Sequence, residues 1–326
     1  MKILHTADWH LGQTFYEYDR REEHFHFLEW LKQQIKQHEI DVLLIAGDVF
    51  DSPNPSAESQ RVYYRFLREV TSENPSLQIV IIAGNHDSAA RLEAPNPLLE
   101  DMNIIVRGTV RRNAEGDIDL QHFIVPLYTE GKVTAYCLAV PYLRQGDYPS
   151  AENYSKGVQQ LYEQLFNKVK EKGIPVVAMG HLQATGSEIS EDDRSERTVI
   201  GGLECVSPDA FNEAITYTAL GHLHRSQRVS HRENVRYSGT PMPMSFAEKN
   251  NASGVVMITI DTEGTNIEKL EFQPLAGLVS IPPEARPLEE VLQVIGELPD
   301  GDVTLRSPYL AVSYTHLRAH ETLSDL

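Results

Sequence analysis

Apolar residues in this chain arrive in short runs, and many of those runs stop on a polar cluster. Residues 2–7, KILHTA, suit a short buried strand. From Asp19 to His38, Phe27, Leu28, Leu31 and Ile35 recur at helical spacing among charges, which predicts an amphipathic helix. The run DVLLIAGD at 41–48 has the β-branched, uninterrupted character of a strand buried on both faces. Pro53 and Pro55 break the chain before a second helix over Ala57 to Val70, and SLQIVIIAGNHD follows as a strand ending at residue 87. This β-α-β-α-β order predicts a layered α/β core with functional groups at the strand ends.

The same alternation continues. TAYCLAVPYL (134–143) reads as a strand, Lys156 to Lys172 as an amphipathic helix, and PVVAMGH (175–181) as a strand again. Glu188 to Arg197 is acidic and polar, as a mobile surface loop would be. TYTALGHLH (216–224) is strand-like, and 235–239, 254–260 and 267–273 suggest outer strands of a second sheet. Pro282, Pro283 and Pro287 mark a linker into a small unit with one helix near Leu288–Leu298. Residues 312–322, VSYTHLRAHET, break the preceding pattern and match the conceptual translation of a transposon-type sequencing adapter. The expected division is therefore 1–275, 276–311 and an adapter-derived tail at 312–326, so His316 and His320 are set aside.

Composition narrows the class. At 41% hydrophobic and 23% charged residues, the chain reads as an ordinary globular enzyme. No apolar run approaches the ~18 residues that span a bilayer, and the N-terminus lacks a signal-peptide core. Cys137 and Cys205 are the only cysteines, which leaves no disulfide framework or thiolate zinc site. The cytoplasm is the expected compartment. The net charge of −18, from 47 acidic against 29 basic residues, opposes attraction of nucleic acid by the overall field.

The chemistry lies in five clusters, each at the end of an apolar run: Asp8-x-His10, Gly47-Asp48, Gly84-Asn85-His86-Asp87, Gly180-His181 and Gly221-His222-Leu223-His224. Carboxylate, amide oxygen and imidazole together suit borderline or hard divalent metals such as Mn²⁺. Seven candidate ligands match a dinuclear site: Asp8, His10 and His224 for one ion, Asn85, His181 and His222 for the other, and Asp48 between them. Two ions about 3.5–4 Å apart clamp a phosphate and acidify a bound water. His86, beside Asn85, is expected to face the scissile phosphate without binding metal, with Asp51 orienting it by a hydrogen bond. Glycines directly before ligands permit unusual backbone angles and leave room beside the metals.

Each cluster alone has an ordinary reading: a surface pair, an Asx turn, a structural histidine. In this order, each at a strand end, the set resembles the calcineurin-like metallophosphoesterases, and among them the nuclease subunits of bacterial SbcCD-type complexes. ADWHLG, AGDVFD, AGNHDS, MGHL, ALGHLHR and YSGTPMPMSF carry the resemblance, which covers about residues 1–275. Phosphatases of this fold carry Arg-Gly after the second aspartate and Glu after Asn-His; here FDS and Asp87 stand there.

The resemblance implies a four-layer α/β/β/α sandwich of two mixed sheets with a fragment of a small α+β capping domain. It implies two metal ions and exonuclease and hairpin endonuclease activity on DNA. It also implies a homodimer held through the helix Ala57–Val70, and an SbcC-type coiled-coil ATPase subunit bound by helices beyond this chain. The rival readings are a same-fold phosphoesterase with another substrate and a non-catalytic repair scaffold. Elsewhere, His24, His26 and His38 are expected to be solvated, and Trp9 and Trp30 to pack. Arg225 and Arg228 are candidates for DNA phosphate contacts, and Met242, Met244 and Phe246 are expected to shape a loop beside the site.

Overall fold

Strands whose two faces are both apolar must be covered on both, and that requirement sets the architecture. In the computed structural model of the protein, residues 1–187, 205–299 and 301–315 are described. The acidic stretch from Glu188 to Arg197, His316 and His320 lie outside them. The strands are β1 (Lys2–Thr6), β2 (Thr14–Phe15), β3 (Tyr18–Asp19), β4 (Val42–Ala46), β5 (Gln78–Ile82), β6 (Ile104–Arg107) and β7 (Ile124–Thr129). They continue with β8 (Lys132–Ala139), β9 (Val176–His181), β10 (Tyr217–Gly221), β11 (Gln227–Val229), β12 (Arg232–Tyr237), β13 (Gly254–Asp261) and β14 (Gly264–Glu271). The long helices are α1 (Arg21–His38), α2 (Ala57–Glu73) and α3 (Tyr154–Val169).

One six-stranded sheet runs β14-β13-β1-β4-β5-β6 and the other β11-β12-β10-β9-β8-β7. Each is mixed. Strands β1, β4, β5 and β6 are parallel in the first, and β8, β9, β10 and β12 in the second, with antiparallel strands at the edges. Period-two alternation distributes the side chains among three apolar layers. In β4, Leu43 and Ile45 face the layer that holds Phe27, Leu31 and Ile35 of α1 and Tyr63, Phe66 and Val70 of α2. Val42, Leu44 and Ala46 of the same strand meet Val177, Met179, Tyr217 and Ala219 between the sheets. Beyond the second sheet, α3 sets Val158, Leu161, Tyr162 and Leu165 against Leu138, Ala178 and Leu220. The result is the expected α/β/β/α sandwich.

Three expectations change. Strands β13 and β14 extend the first sheet, because β13 pairs antiparallel with β1 (Lys2 opposite Thr259); only the strand near 235–239 belongs to the second. The helix α2, expected to carry a dimer contact, turns its apolar face inward: Val62, Tyr63, Phe66, Leu67 and Val70 are all buried, and Tyr64 is part-exposed. His24 is not solvated either. Its two ring nitrogens lie 3.1 Å from the Arg20 carbonyl and 3.0 Å from the Trp9 carbonyl, so it ties α1 to the loop after β1. Trp9 does pack, edge-on against Phe27 and Phe66, while its Nε1–H donates to Thr6 Oγ1.

After residue 275 the structure thins. A short strand Leu278–Ser280 pairs in parallel with Tyr309–Ala311, and the helix α4 (Leu288–Gly296) buries only Val291. No helix among the described residues is long and apolar enough to cross a membrane.

Burial, reinforced by the nearby Arg20 guanidinium, lowers His24 to about 4 from 6.5. The unfolded chain then binds the extra proton, so this contribution to stability is complete above about pH 6.5 and is lost as pH falls towards 4. Urea unfolding of the wild type at pH 7.5 and pH 4.5 should differ by a His24 component of roughly 3 kcal/mol. H24N should lack that component, and an identical pH dependence in the two proteins would contradict it.

Candidate metal centre

The carboxyl ends of β1, β4, β5, β9 and β10 point to one edge of the sandwich, and the polar clusters follow them there. The two sheets are joined at this edge by side chains rather than by strand pairing. His181 Nδ1 donates to the Ala46 carbonyl at 2.8 Å, and the His222 amide donates to Asp8 Oδ1 at 3.0 Å. The β1–β4 ladder runs on into the loops, with the amides of Asp8 and His10 donating to the carbonyls of Gly47 and Asp48, each at 3.0 Å. All five sequence clusters therefore meet.

Backbone conformation marks the same residues. Asp8, His10, Asp48 and His222 all have positive φ, at 54°, 47°, 49° and 97°. Holding non-glycine residues in this region costs on the order of 1 kcal/mol or more each and persists only where surroundings enforce it. Gly47 takes φ 91°, and a Cβ there would lie 2.3 Å from His181 Nδ1. Gly221 is needed for proximity instead: its Cβ would lie 2.0 Å from the Ala46 carbonyl oxygen and 2.8 Å from His181 Nδ1.

Asp48 is the centre of the arrangement. Its Oδ1 accepts the His86 amide at 2.8 Å, and its Oδ2 lies 3.2 Å from His181 Nε2 and 3.8 Å from His10 Nε2. Burial would raise its pKa, but His181, His10 and His86 outweigh this and hold it far below the usual carboxylate range. For His181, burial works against the charged ring, yet Asp48 prevails and raises it to about 9. His222 is driven the other way, to about 3, by burial and by His181. Asn85 Oδ1 sits 2.9 Å from both His181 Nε2 and His222 Nδ1.

The donor set fits divalent cations. His181 Nδ1 donates to Ala46, so in the metal-free ring it is the Nε2 proton that faces the Asp48 and Asn85 oxygens, and a cation displacing that proton would meet one nitrogen and two oxygens already converging. Asp8, His10 and His224 have ligand atoms within 4.8 Å of one another, as do Asp8, Asp48 and His181. Asp8, Asp48, His10, His181 and His224 are all buried. These are groupings that could hold metal, and Asp48 Oδ2 stands between the histidines of the two halves.

His86 is part-exposed beside the cluster, its ring 4.8 Å from that of His10. The expected bond to Asp51 forms, but through the main chain: His86 Nδ1 donates to the Asp51 carbonyl at 3.0 Å. The Asp51 carboxylate turns to His10 instead, Oδ1 lying 3.3 Å from Nδ1. His10, Asp51 and His86 also form a third close group.

Two carboxylates outside the expected ligand set support the site. Asp87 accepts amides from Gly84, Val49 and Phe50, clasping the loops after β4 and β5; burial and the neighbouring Asp48 raise it to about 6. Glu248 Oε1 lies 2.9 Å from His224 Nδ1. Burial opposes its ionisation, but the His224 contact prevails and lowers its pKa. Arg225 is exposed, and Arg228 pairs with Glu233. Met242 is buried under the loop that follows β12.

The sandwich and its convergent His/Asp edge define a metallophosphoesterase, and the chain belongs to the calcineurin-like phosphoesterase family, whose model matches residues 1–226. More narrowly, it belongs among the SbcD nucleases of SbcCD complexes. It is 37% identical to the SbcD component of the SbcCD nuclease of Rhodobacter capsulatus over 341 residues, covering 100% of this chain and 82% of that protein. Against the same component in Escherichia coli K12, identity is 32% over 296 residues, 85% of this chain and 70% of the relative. Against that of Bacillus subtilis 168 it is 30% over 276 residues, 79% and 66%.

G221A would drive a methyl into both partners of the His181–Ala46 bond. Overpacking of this kind costs about 1–3 kcal/mol. Calorimetry of the metal-free protein should show a lowered unfolding midpoint, and an unchanged midpoint would contradict the close approach.

Proposed function

We propose that this chain is a DNA phosphodiesterase, the nuclease component of an SbcCD-type repair complex, working with two divalent cations of which Mn²⁺ best suits the mixed oxygen and imidazole donors. The observation that carries the reading is Asp48 Oδ2, set between His181 Nε2 and His10 Nε2 at 3.2 and 3.8 Å. In this reading Asp8, His10 and His224 hold one cation, Asn85, His181 and His222 the other, and Asp48 is shared. A bound pair supplies positive charge against the phosphoryl oxygens and acidifies water at neutral pH.

The remaining work falls to the chain. The Asp51 carboxylate lies 3.3 Å from His10 Nδ1 as a close electrostatic contact, while His10 Nε2 faces Asp48. The Asp51 carbonyl holds Nδ1–H of His86 and directs Nε2 away from that contact. As an imidazolium, His86 then stabilises charge on the phosphoryl group or gives the Nε2 proton to the leaving oxygen. The role of Asp51 is positioning.

The net charge of −18 makes the substrate reading demanding, since a polyanion must approach an acidic protein. Cations in the cleft and a DNA-gripping SbcC-type ATPase partner answer that in this proposal. The boundary near residue 275 and a partial cap over 276–311 belong to the same reading, supported by the thinning of the core there. The homodimer draws its support from the family likeness, since the apolar face of α2 is enclosed within the chain.

End-labelled duplex DNA and a small phosphodiester, each with Mn²⁺ and with a chelator, test the substrate. DNA cleavage that the chelator abolishes is expected, and turnover of the small ester with DNA left intact would refute the nuclease reading. D48A should lose both bound metal and cleavage. H86A should keep two ions per chain while its turnover falls about 10²–10⁴-fold, the range of general acid–base assistance. Normal cleavage by H86A would remove His86 from the mechanism.

A further inference from the structure

We infer that Glu248 is a positioning residue of the metal centre, fixing which nitrogen of His224 bears the proton and anchoring the loop 238–248 across the two sheets. The inference rests on the two-cation reading above.

Glu248 ends the short turn Phe246–Glu248, 24 residues beyond His224, and is 1% exposed. Both of its oxygens are used: Oε1 lies 2.9 Å from His224 Nδ1, and Oε2 accepts the Met244 amide at 2.8 Å. A carboxylate only accepts, so Nδ1 must donate, and the lone pair of the neutral ring falls on Nε2. A ligating histidine needs this arrangement, one nitrogen held by an outer acceptor and the other left basic. His181 obtains it from the Ala46 carbonyl. Glu248 performs the same task for His224.

The loop does more than carry the carboxylate. The Thr240 amide donates to the His224 carbonyl at 3.0 Å, and its hydroxyl donates to the Asp8 carbonyl, also at 3.0 Å. Asp8 follows β1 in the first sheet and His224 follows β10 in the second, so one threonine spans the two proposed ligands of a single cation. Arg20, buried and paired with Glu23, donates to the Pro243 carbonyl at 2.6 Å and holds the loop from its other side. A carboxylate that merely ended the turn would need to serve Met244 alone, and an amide could do that. Serving Met244 and His224 together takes two acceptor oxygens, which glutamine lacks.

E248Q separates these roles. In metal-free wild-type protein, ¹⁵N-resolved NMR of the histidine rings should show His224 as the Nδ1–H tautomer, and E248Q should shift it towards Nε2–H. Calorimetric titration with Mn²⁺ should find two sites in the wild type. In E248Q one site should weaken about 10–100-fold, the usual effect of losing an outer-shell partner, and the other should hold its affinity. An Nε2–H tautomer in the wild type overturns the inference without recourse to any variant. Unchanged affinity at both sites of E248Q overturns it while leaving the two-cation reading intact. A wild-type chain that binds no pair of ions overturns that reading and the inference with it.

Discussion

The hydrogen bond from His181 to the Ala46 carbonyl, 2.8 Å long and fully buried, is the joint on which the site depends. It crosses between sheets that share no strand pairing, linking the end of β9 to the end of β4. It also fixes the ring so that Nε2 faces Asp48. One contact thus sets the relative height of the two sheets and the orientation of a proposed ligand. His5 does comparable structural work deeper in the interface, with Nδ1 2.9 Å from the Tyr217 hydroxyl. The apolar layer between the sheets fixes their spacing, while these polar pairs fix their register, because only a particular alignment satisfies them.

That alignment stores strain at its edge. Four proposed ligands occupy left-handed backbone conformations, and Asp8 and Asp48 are carboxylates withdrawn from water. Both features oppose folding, and both lie at the carboxyl ends of rigid parallel strands, where the core can enforce them. Asp87 shows how enforcement is achieved: a single carboxylate takes three amides from two loops, so neither loop relaxes alone. The strain is thereby confined to a few residues directly around the site.

Much of this was legible in the chain itself. The five clusters stood out because each ends an apolar run, and parallel strands direct such ends to one edge. The four layers followed from runs apolar on both faces. What escaped has physical reasons. The placement of β13 and β14 depends on pairing with β1, some 250 residues away, which local pattern does not encode. His24 shares its turn of helix with charged neighbours, so it read as solvated, whereas its bonds go to main-chain carbonyls. Asp51 was legible as a partner of His86 by its spacing, but the main chain supplies the acceptor and the carboxylate lies beside His10. Backbone acceptors leave no mark on residue type. Glu248 is invisible for a related reason: a single glutamate followed by Lys249 and Asn250 reads as surface until tertiary packing turns it inward.

Electrostatics ties these observations to activity. An acidic protein whose cleft also buries carboxylates presents a doubly unfavourable field to a phosphodiester. The histidines offset part of it, and the opposed shifts of His181 and His222 show that the rings cannot all be charged together. Protons are therefore a poor counter-charge for this edge: adding them to His222 is resisted by burial and by His181 alike. Divalent cations meet no such limit, since they need the rings neutral and the carboxylates ionised. The same arrangement that resists full protonation is thus the one that favours metal, and a bound pair would reverse the sign of the field at the point where a phosphate must enter.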